Sequence, residues 1–212
     1  MKISVSYLSS INNLEECISK LNCTNCDYIH YDIMDNQFVP NETPPLNQII
    51  GYLKNSQKKI DIHLMVKDVQ KYIDEYKILN PEFITFHIEA ADNIIYLINY
   101  LKSLNIKVGL SIKPNTSIDK IMPYLNLIDL VLVMSVEPGF GGQMFIENSI
   151  EKISELSEIR KKNHYSYLIE VDGGINNQNI GNCDKADIVV VGSFITKSDN
   201  YQYQINKILA KN

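Results

Sequence analysis

Residues 82–135 read EFITFHIEAADNIIYLINYLKSLNIKVGLSIKPNTSIDKIMPYLNLIDLVLVMS. Three short apolar runs stand out in it: Glu82–Ile88, Lys107–Ile112 and Leu130–Ser135. Runs this short, rich in Ile, Val and Leu, suit strands buried on both faces, as in a parallel sheet. Between the first two lies Asp92–Leu104, an amphipathic helical pattern that opens on an Asp. A shorter helix is expected after Ser117. Strand and helix therefore alternate strictly, which is the rhythm of a parallel sheet with helical crossovers.

The same rhythm extends to both ends. Further strands are expected at Lys2–Leu8, Asp27–Ile33, Lys59–Val66, Tyr167–Val171 and Asp187–Gly192. Helices are expected at Asn12–Leu21, Asp68–Leu79, Ser149–Lys161 and Tyr201–Ala210, with shorter ones after Pro44 and Asn176. An Asn stands ready to cap the first, and Ile150, Ile153, Leu156 and Ile159 form one stripe on Ser149–Lys161. Eight strand–helix units follow one another with no linker and no break in composition. They predict a single α/β domain over residues 1–212. Counting alone also allows an open doubly wound sheet, but eight units suit closure into a (β/α)8 TIM barrel of eight parallel strands with outer helices. The active site of such a barrel lies at the C-terminal ends of its strands.

Composition narrows the function. The chain has 212 residues, 45% of them hydrophobic and 21% charged, with a net charge of −5. That is enough apolar material for a full core, and no Lys or Arg run invites nucleic acid or an acidic membrane surface. No apolar stretch is long enough to span a bilayer, and Met1–Leu8 reads as a strand and not as a signal peptide. Four cysteines in a chain of this size do not form a disulfide framework, so a reducing cytoplasmic setting is expected. Cys23 and Cys26 form a C-x-x-C pair that follows a helical pattern where a redox pair would open one. They read as two thiols near a helix end, with only Cys17 and Cys183 left as further ligands.

Chemistry concentrates at the strand ends. His30 and Asp32 are two apart near the end of the second strand and so point to one face. His63 lies near the end of the third strand, and Asp172 directly follows the seventh. Any one of these alone would be read as a core histidine or a helix cap. Four together on one rim make an N2O2 donor set suited to Zn2+, Fe2+, Mn2+ or Co2+. Glycines cluster on the same rim: Gly139-Phe140-Gly141-Gly142 after the sixth strand, Gly173-Gly174 after the seventh, Gly192-Ser193 after the eighth. Glycine allows tight βα turns, and it also lets backbone amides approach an anion closely, which suits a phosphate at this end of a barrel. Met34, Met65 and Met134 fall near strand ends too, either as core filler or as a soft cover over a reacting carbon.

At these residues the chain resembles the ribulose-phosphate 3-epimerase family. The resemblance is carried by HYDIMD at 30–35, FVPN at 38–41, DIHLMV at 61–66, HIEA at 87–90, VLVMSVEPGFGGQ at 131–143 and IEVDGG at 169–174, in the family's order. It implies a phosphate-binding (β/α)8 barrel with one divalent metal ion per subunit, Zn2+ or Fe2+ first, Mn2+ or Co2+ as alternatives. The ligands would be His30, Asp32, His63 and Asp172, with Asp32 and Asp172 also serving as the acid–base pair. Ser6 and His63 would contact the substrate, and Met34, Met65 and Met134 would line the reacting carbon. Gly139, Gly141, Gly142, Gly173, Gly174, Gly192 and Ser193 would hold the sugar phosphate. The activity implied is interconversion of D-ribulose 5-phosphate and D-xylulose 5-phosphate at carbon 3 in the pentose phosphate pathway. A homo-oligomer, dimer or larger, is implied as well, and Pro138–Gln143 is expected to close over the site.

The chain departs from the family pattern at Val5, at Ser10-Ile11-Asn12, at Asn36-Gln37 where Gly-His is usual, and at Asn115 where Gly is usual. None of these is a proposed ligand, but the loop positions bear on which sugar is accepted. Three other readings stand beside this one. The first is the same chemistry on a six-carbon ketose phosphate such as allulose 6-phosphate. The second is a barrel decarboxylase or aldolase; these rely on a strand-end lysine, for which Lys113 is the one candidate, and the chain has no Asp-x-Lys-x-x-Asp pattern. The third is a sugar-phosphate binder without catalysis.

Overall fold

The computed structural model describes residues 1–54 and 56–210, with Ile11 described by its backbone alone. The expected domain's last two positions, 211–212, lie outside the described residues. Eight strands form one closed, all-parallel barrel in sequence order. They are β1 (Lys2–Ser6), β2 (Tyr28–Met34), β3 (Lys59–Met65), β4 (Phe83–His87), β5 (Lys107–Ile112), β6 (Leu130–Met134), β7 (Leu168–Asp172) and β8 (Ile188–Val191). The pairing of β1 with β8 closes the ring, which settles barrel against open sheet.

Helices α1 (Leu14–Asn22), α2 (Leu46–Lys54), α3 (Val69–Tyr76), α4 (Ile94–Ser103), α5 (Asn148–Asn163), α6 (Ser193–Thr196) and α7 (Tyr201–Leu209) accompany the barrel. Their apolar faces and the outward faces of the strands form the main core. A second apolar cluster, including Tyr28, Phe83, Leu130, Leu132 and Ile188, comes from the strand residues of the opposite alternation.

Several local expectations are corrected. The first helix begins at Leu14 behind a 3-10 segment, and Asn13 makes no side-chain cap bond. The fourth is capped by Asn93, whose carboxamide oxygen accepts from the Tyr96 amide at 3.1 Å, so Asp92 stays outside it. The short helices expected after Ser117 and Asn176 are present as 3-10 helices, Ile118–Lys120, Met122–Tyr124 and Ile180–Cys183. On α5 the buried stripe is Ser149, Lys152, Ile153, Leu156 and Ser157; Ile150 and Ile159 flank it. Cys23 caps the end of α1 through its backbone, and all four cysteines are free thiols.

Candidate metal centre and phosphate pocket

Parallel register builds the first half of the site. β2 and β3 pair so that His30 stands beside Asp61 and Asp32 beside His63. Strand alternation sends all four side chains to the same face, so each imidazole has a carboxylate next to it. His30 Nδ1 is 2.7 Å from Asp61 Oδ2, and His63 Nδ1 is 3.2 Å from Asp32 Oδ1. Ser6, at the end of β1, donates its hydroxyl to Asp32 Oδ2 at 2.7 Å. Asp172 ends β7 and brings Oδ2 to 4.0 Å from His63 Nδ1. One ligand atom from each of His30, Asp32, His63 and Asp172 falls within 4.8 Å of the others. Both histidines are fully buried, while Asp172 keeps 16% of its side chain exposed toward the pocket.

This donor set fits a divalent transition ion. Tetrahedral ligands each about 2.1 Å from one ion lie about 3.4 Å apart, so donor atoms all within 4.8 Å of one another would draw together by up to about 1.4 Å around it. The His30 Nε2 atom is buried and has no hydrogen-bond partner among the described residues; Asp32 Oδ1 lies 3.4 Å from it. Its other nitrogen is held by Asp61, the carboxylate–histidine arrangement that orients metal-binding imidazoles.

The two carboxyl groups of the centre have opposite tendencies. Burial alone would raise Asp32, but His30 and His63 outweigh it and hold the carboxyl well below its ordinary range. Asp172 is pushed up to about 7, by burial first and then by the Asp32 carboxylate. At neutral pH without metal, Asp32 is a carboxylate and Asp172 is half protonated. Burial would depress His30, yet Asp61 and Asp32 together hold it well above its usual value. Deeper in the barrel, burial and then the Asp61 charge drive Glu170 well above the ordinary carboxylate range.

A pocket opens above the centre. Ser6, Asp32, Met65, Met134 and Asp172 form its floor, and Gly139, Gly141, Gly142, Gly173, Gly174, Gly192 and Ser193 are among its walls. His30 and His63 lie beneath it, and Met34 stands to one side, packed with Val39 and Met65. Gly173 and Gly174 have positive φ, +125° and +65°. A Cβ on Gly174 would meet the Phe145 amide nitrogen at 2.5 Å, so only glycine admits the chain after β6 here. Ser135 ties the two loops together, its hydroxyl 2.9 Å from the Asp172 carbonyl and 2.7 Å from that of Gly173. The Gln143 carboxamide donates to the Glu137 and Phe140 carbonyls at 2.6 and 2.9 Å, folding segment 138–143 on itself. Lys113 is not among the pocket residues; its ammonium sits 4.0 Å from the centre of the Phe38 ring. Asn36 has φ 55°, where glycine is the easy choice and Asn the best-tolerated alternative. That accounts for Asn in place of Gly there.

Residue-by-residue reading missed the groups behind the candidate ligands. Asp61 repeats the period-2 signal of its neighbour strand, two residues before His63. His87 ends β4 and puts Nε2 2.9 Å from His63 Nε2, and its Nδ1 lies 3.2 Å from Glu89 Oε2. Those two residues fall in the HIEA motif, and strand-end position was the available signal. Lys152 had none: it sits on the apolar stripe of α5 and donates to the carbonyls of Lys113, Pro114 and Thr116 at 3.0, 2.7 and 2.6 Å.

Residues 2–196 match the model of the ribulose-phosphate 3-epimerase family. Among curated relatives, a ribulose-phosphate 3-epimerase of Aquifex aeolicus is 40% identical over 86% of this chain and 83% of its own length. Those of Helicobacter pylori and Escherichia coli are 36% and 34% identical, each over 97% of this chain and 95% and 93% of theirs. Among solved structures, 3-hexulose-6-phosphate synthase from Salmonella typhimurium superposes with a TM-score of 0.71 over the full length of both chains at 17% identity, a likeness of fold.

Proposed function

The chain belongs to the ribulose-phosphate 3-epimerase family, and on that premise we propose that it interconverts D-ribulose 5-phosphate and D-xylulose 5-phosphate by moving the proton on carbon 3. The observation that carries this reading is the pair of carboxyl groups at one pocket floor with opposite proton affinities, Asp32 held low and Asp172 raised to about 7. Inversion at a carbon beside a ketone needs a base on one face and an acid on the other, since a single base returning its proton restores the starting isomer.

In this scheme Asp32, oriented by the Ser6 hydroxyl, takes the proton from one face. Asp172 delivers a proton to the opposite face, and the roles exchange in the reverse direction. A divalent ion held by His30, Asp32, His63 and Asp172 would act as a Lewis acid, stabilising the negative charge that the substrate oxygens develop. Met65 and Met134 line the floor without offering a strong hydrogen bond to the enediolate. The phosphate is assigned to the backbone amides around Gly173-Gly174 and Gly192-Ser193, where its binding energy orients the sugar. Among the described residues no helix is long and apolar enough to cross a membrane.

The test is an epimerisation assay on ribulose 5-phosphate with metal stripped and then Zn2+, Fe2+, Mn2+ or Co2+ restored, run beside allulose 6-phosphate. Metal-dependent formation of xylulose 5-phosphate supports the scheme. A folded, metal-loaded sample inactive on the five-carbon substrate but active on the six-carbon one would replace the substrate, and exchange of no carbon-3 proton with solvent would remove the reaction.

A further inference from the structure

Behind the centre runs a chain of hydrogen bonds that the mechanism above does not use. His63 Nδ1 faces Asp32 and Asp172, while its Nε2 lies 2.9 Å from His87 Nε2. His87 Nδ1 lies 3.2 Å from Glu89 Oε2. The other oxygen, Glu89 Oε1, accepts from the Lys113 amide at 2.9 Å and from the Thr116 hydroxyl. Lys152 holds the carbonyls of Lys113, Pro114 and Thr116, so that loop is anchored to α5. Both imidazoles are fully buried, and the Phe38 ring packs 4.9 Å from that of His87.

We propose that His87 and Glu89 are positioning residues that leave His63 Nδ1 free of its proton, and so able to bind a divalent cation, by accepting the hydrogen carried on His63 Nε2. The inference rests on the metal-site reading above and extends it to two residues that touch neither metal nor pocket.

The argument is one of proton counting. Two ring nitrogens 2.9 Å apart need one hydrogen between them. With one hydrogen on each ring, two arrangements fill that contact. If His63 donates, its Nδ1 is bare toward the pocket, and His87 must carry its hydrogen on Nδ1, where Glu89 accepts it. If His87 donates, its bare Nδ1 faces a carboxylate oxygen, and His63 presents N–H where the cation must bind. Glu89 stays ionised: burial would raise it, but His87, Thr116 and the Lys113 amide hold it at about 2. Its charge therefore favours the first arrangement from one end, and a bound cation favours it from the other.

Glu89→Gln makes the decisive change at nearly constant shape. Two donors, the Lys113 amide and the Thr116 hydroxyl, keep the carboxamide oxygen at the Oε1 position. The new NH2 must then face His87 Nδ1, which reverses the relay and puts a hydrogen on His63 Nδ1.

The test measures Zn2+ binding by full-length metal-free protein in competition with a chromophoric chelator. A surface control, Glu82→Gln, removes only the pairs with Lys59 and Lys107. Glu89→Gln is expected to weaken Zn2+ about 10- to 100-fold, with circular dichroism unchanged and the control matching wild type. In parallel, long-range 15N–1H spectra of the Zn2+-loaded wild type should show His87 protonated on Nδ1. Wild-type affinity in folded Glu89→Gln overturns the relay alone, whereas no Zn2+ binding by wild type overturns the metal-site reading with it. His87 protonated on Nε2 in the loaded wild type overturns the relay whether or not the variant folds.

Discussion

Replacing Asp172 with Asn is expected to stabilise the metal-free fold and at the same time to remove its turnover. The Asp172 carboxyl is raised from 3.8 to about 7 by burial and by the Asp32 charge. A group whose folded pKa is raised stabilises the fold while protonated, below its unfolded pKa, and loses that contribution as pH rises through the folded pKa. The window here runs from 3.8 to about 7. At about 1.4 kcal/mol per pH unit, the wild type is destabilised by about 4 kcal/mol at pH 8 relative to a neutral side chain of the same shape. Near pH 4 the penalty falls below about 1 kcal/mol, because the folded carboxyl is protonated there and the unfolded one only half ionised. Asn carries no charge at any pH, so its advantage should appear at pH 8 and fade toward pH 4. Urea denaturation of chelator-treated wild type and Asp172→Asn at both pH values measures it, with epimerisation of the metal-restored samples as the second readout. Equal midpoints at pH 8 would refute the electrostatic argument, and near-normal turnover in the variant would refute the two-acid scheme.

Three further outcomes are expected. Zn2+ affinity should rise with pH, and more steeply below about pH 7, where Asp172 as well as the raised His30 must shed a proton; chelator competition from pH 5.5 to 8.5 checks this, and a flat profile sinks it. Gly174→Ala should cost at least about 2 kcal/mol and raise KM, since φ is +65° and the new Cβ meets the Phe145 nitrogen at 2.5 Å; an unchanged urea midpoint would contradict the close approach. Lys152→Met should destabilise by about 2–4 kcal/mol, because three carbonyl oxygens lose their donor while the cost of burying the ammonium is relieved; thermal denaturation at the wild-type temperature would argue that the ammonium anchors nothing.

Much of this was legible along the chain. The eight strands were, because a parallel strand covered on both faces must be a short apolar run wherever it occurs. The pairing of His30 with Asp32 on one face was legible for a local reason too: alternation along a strand holds whatever the strand packs against. Helix starts were less so. Asp92 and Asn93 are both good caps, and which one is used depends on where the chain leaves β4. The stripe on α5 was misread because periodicity rewards Ile150 and Ile159, whereas the loop after β5 presents carbonyls that draw Lys152 inward.

By itself, then, the sequence determined the elements, their alternation and which strand residues share a face, all of which depend on neighbours a few positions apart. Only the tertiary structure decided that β1 meets β8, that His30 lies against Asp61 and Asp32 against His63, and that His87 and Glu89 stand behind His63. Register and closure join residues tens of positions apart, and no local pattern encodes them. Proton affinities follow the same division: Asp32 and Asp172 are the same residue type, and only burial and the charges placed beside them drive one down and the other up to about 7.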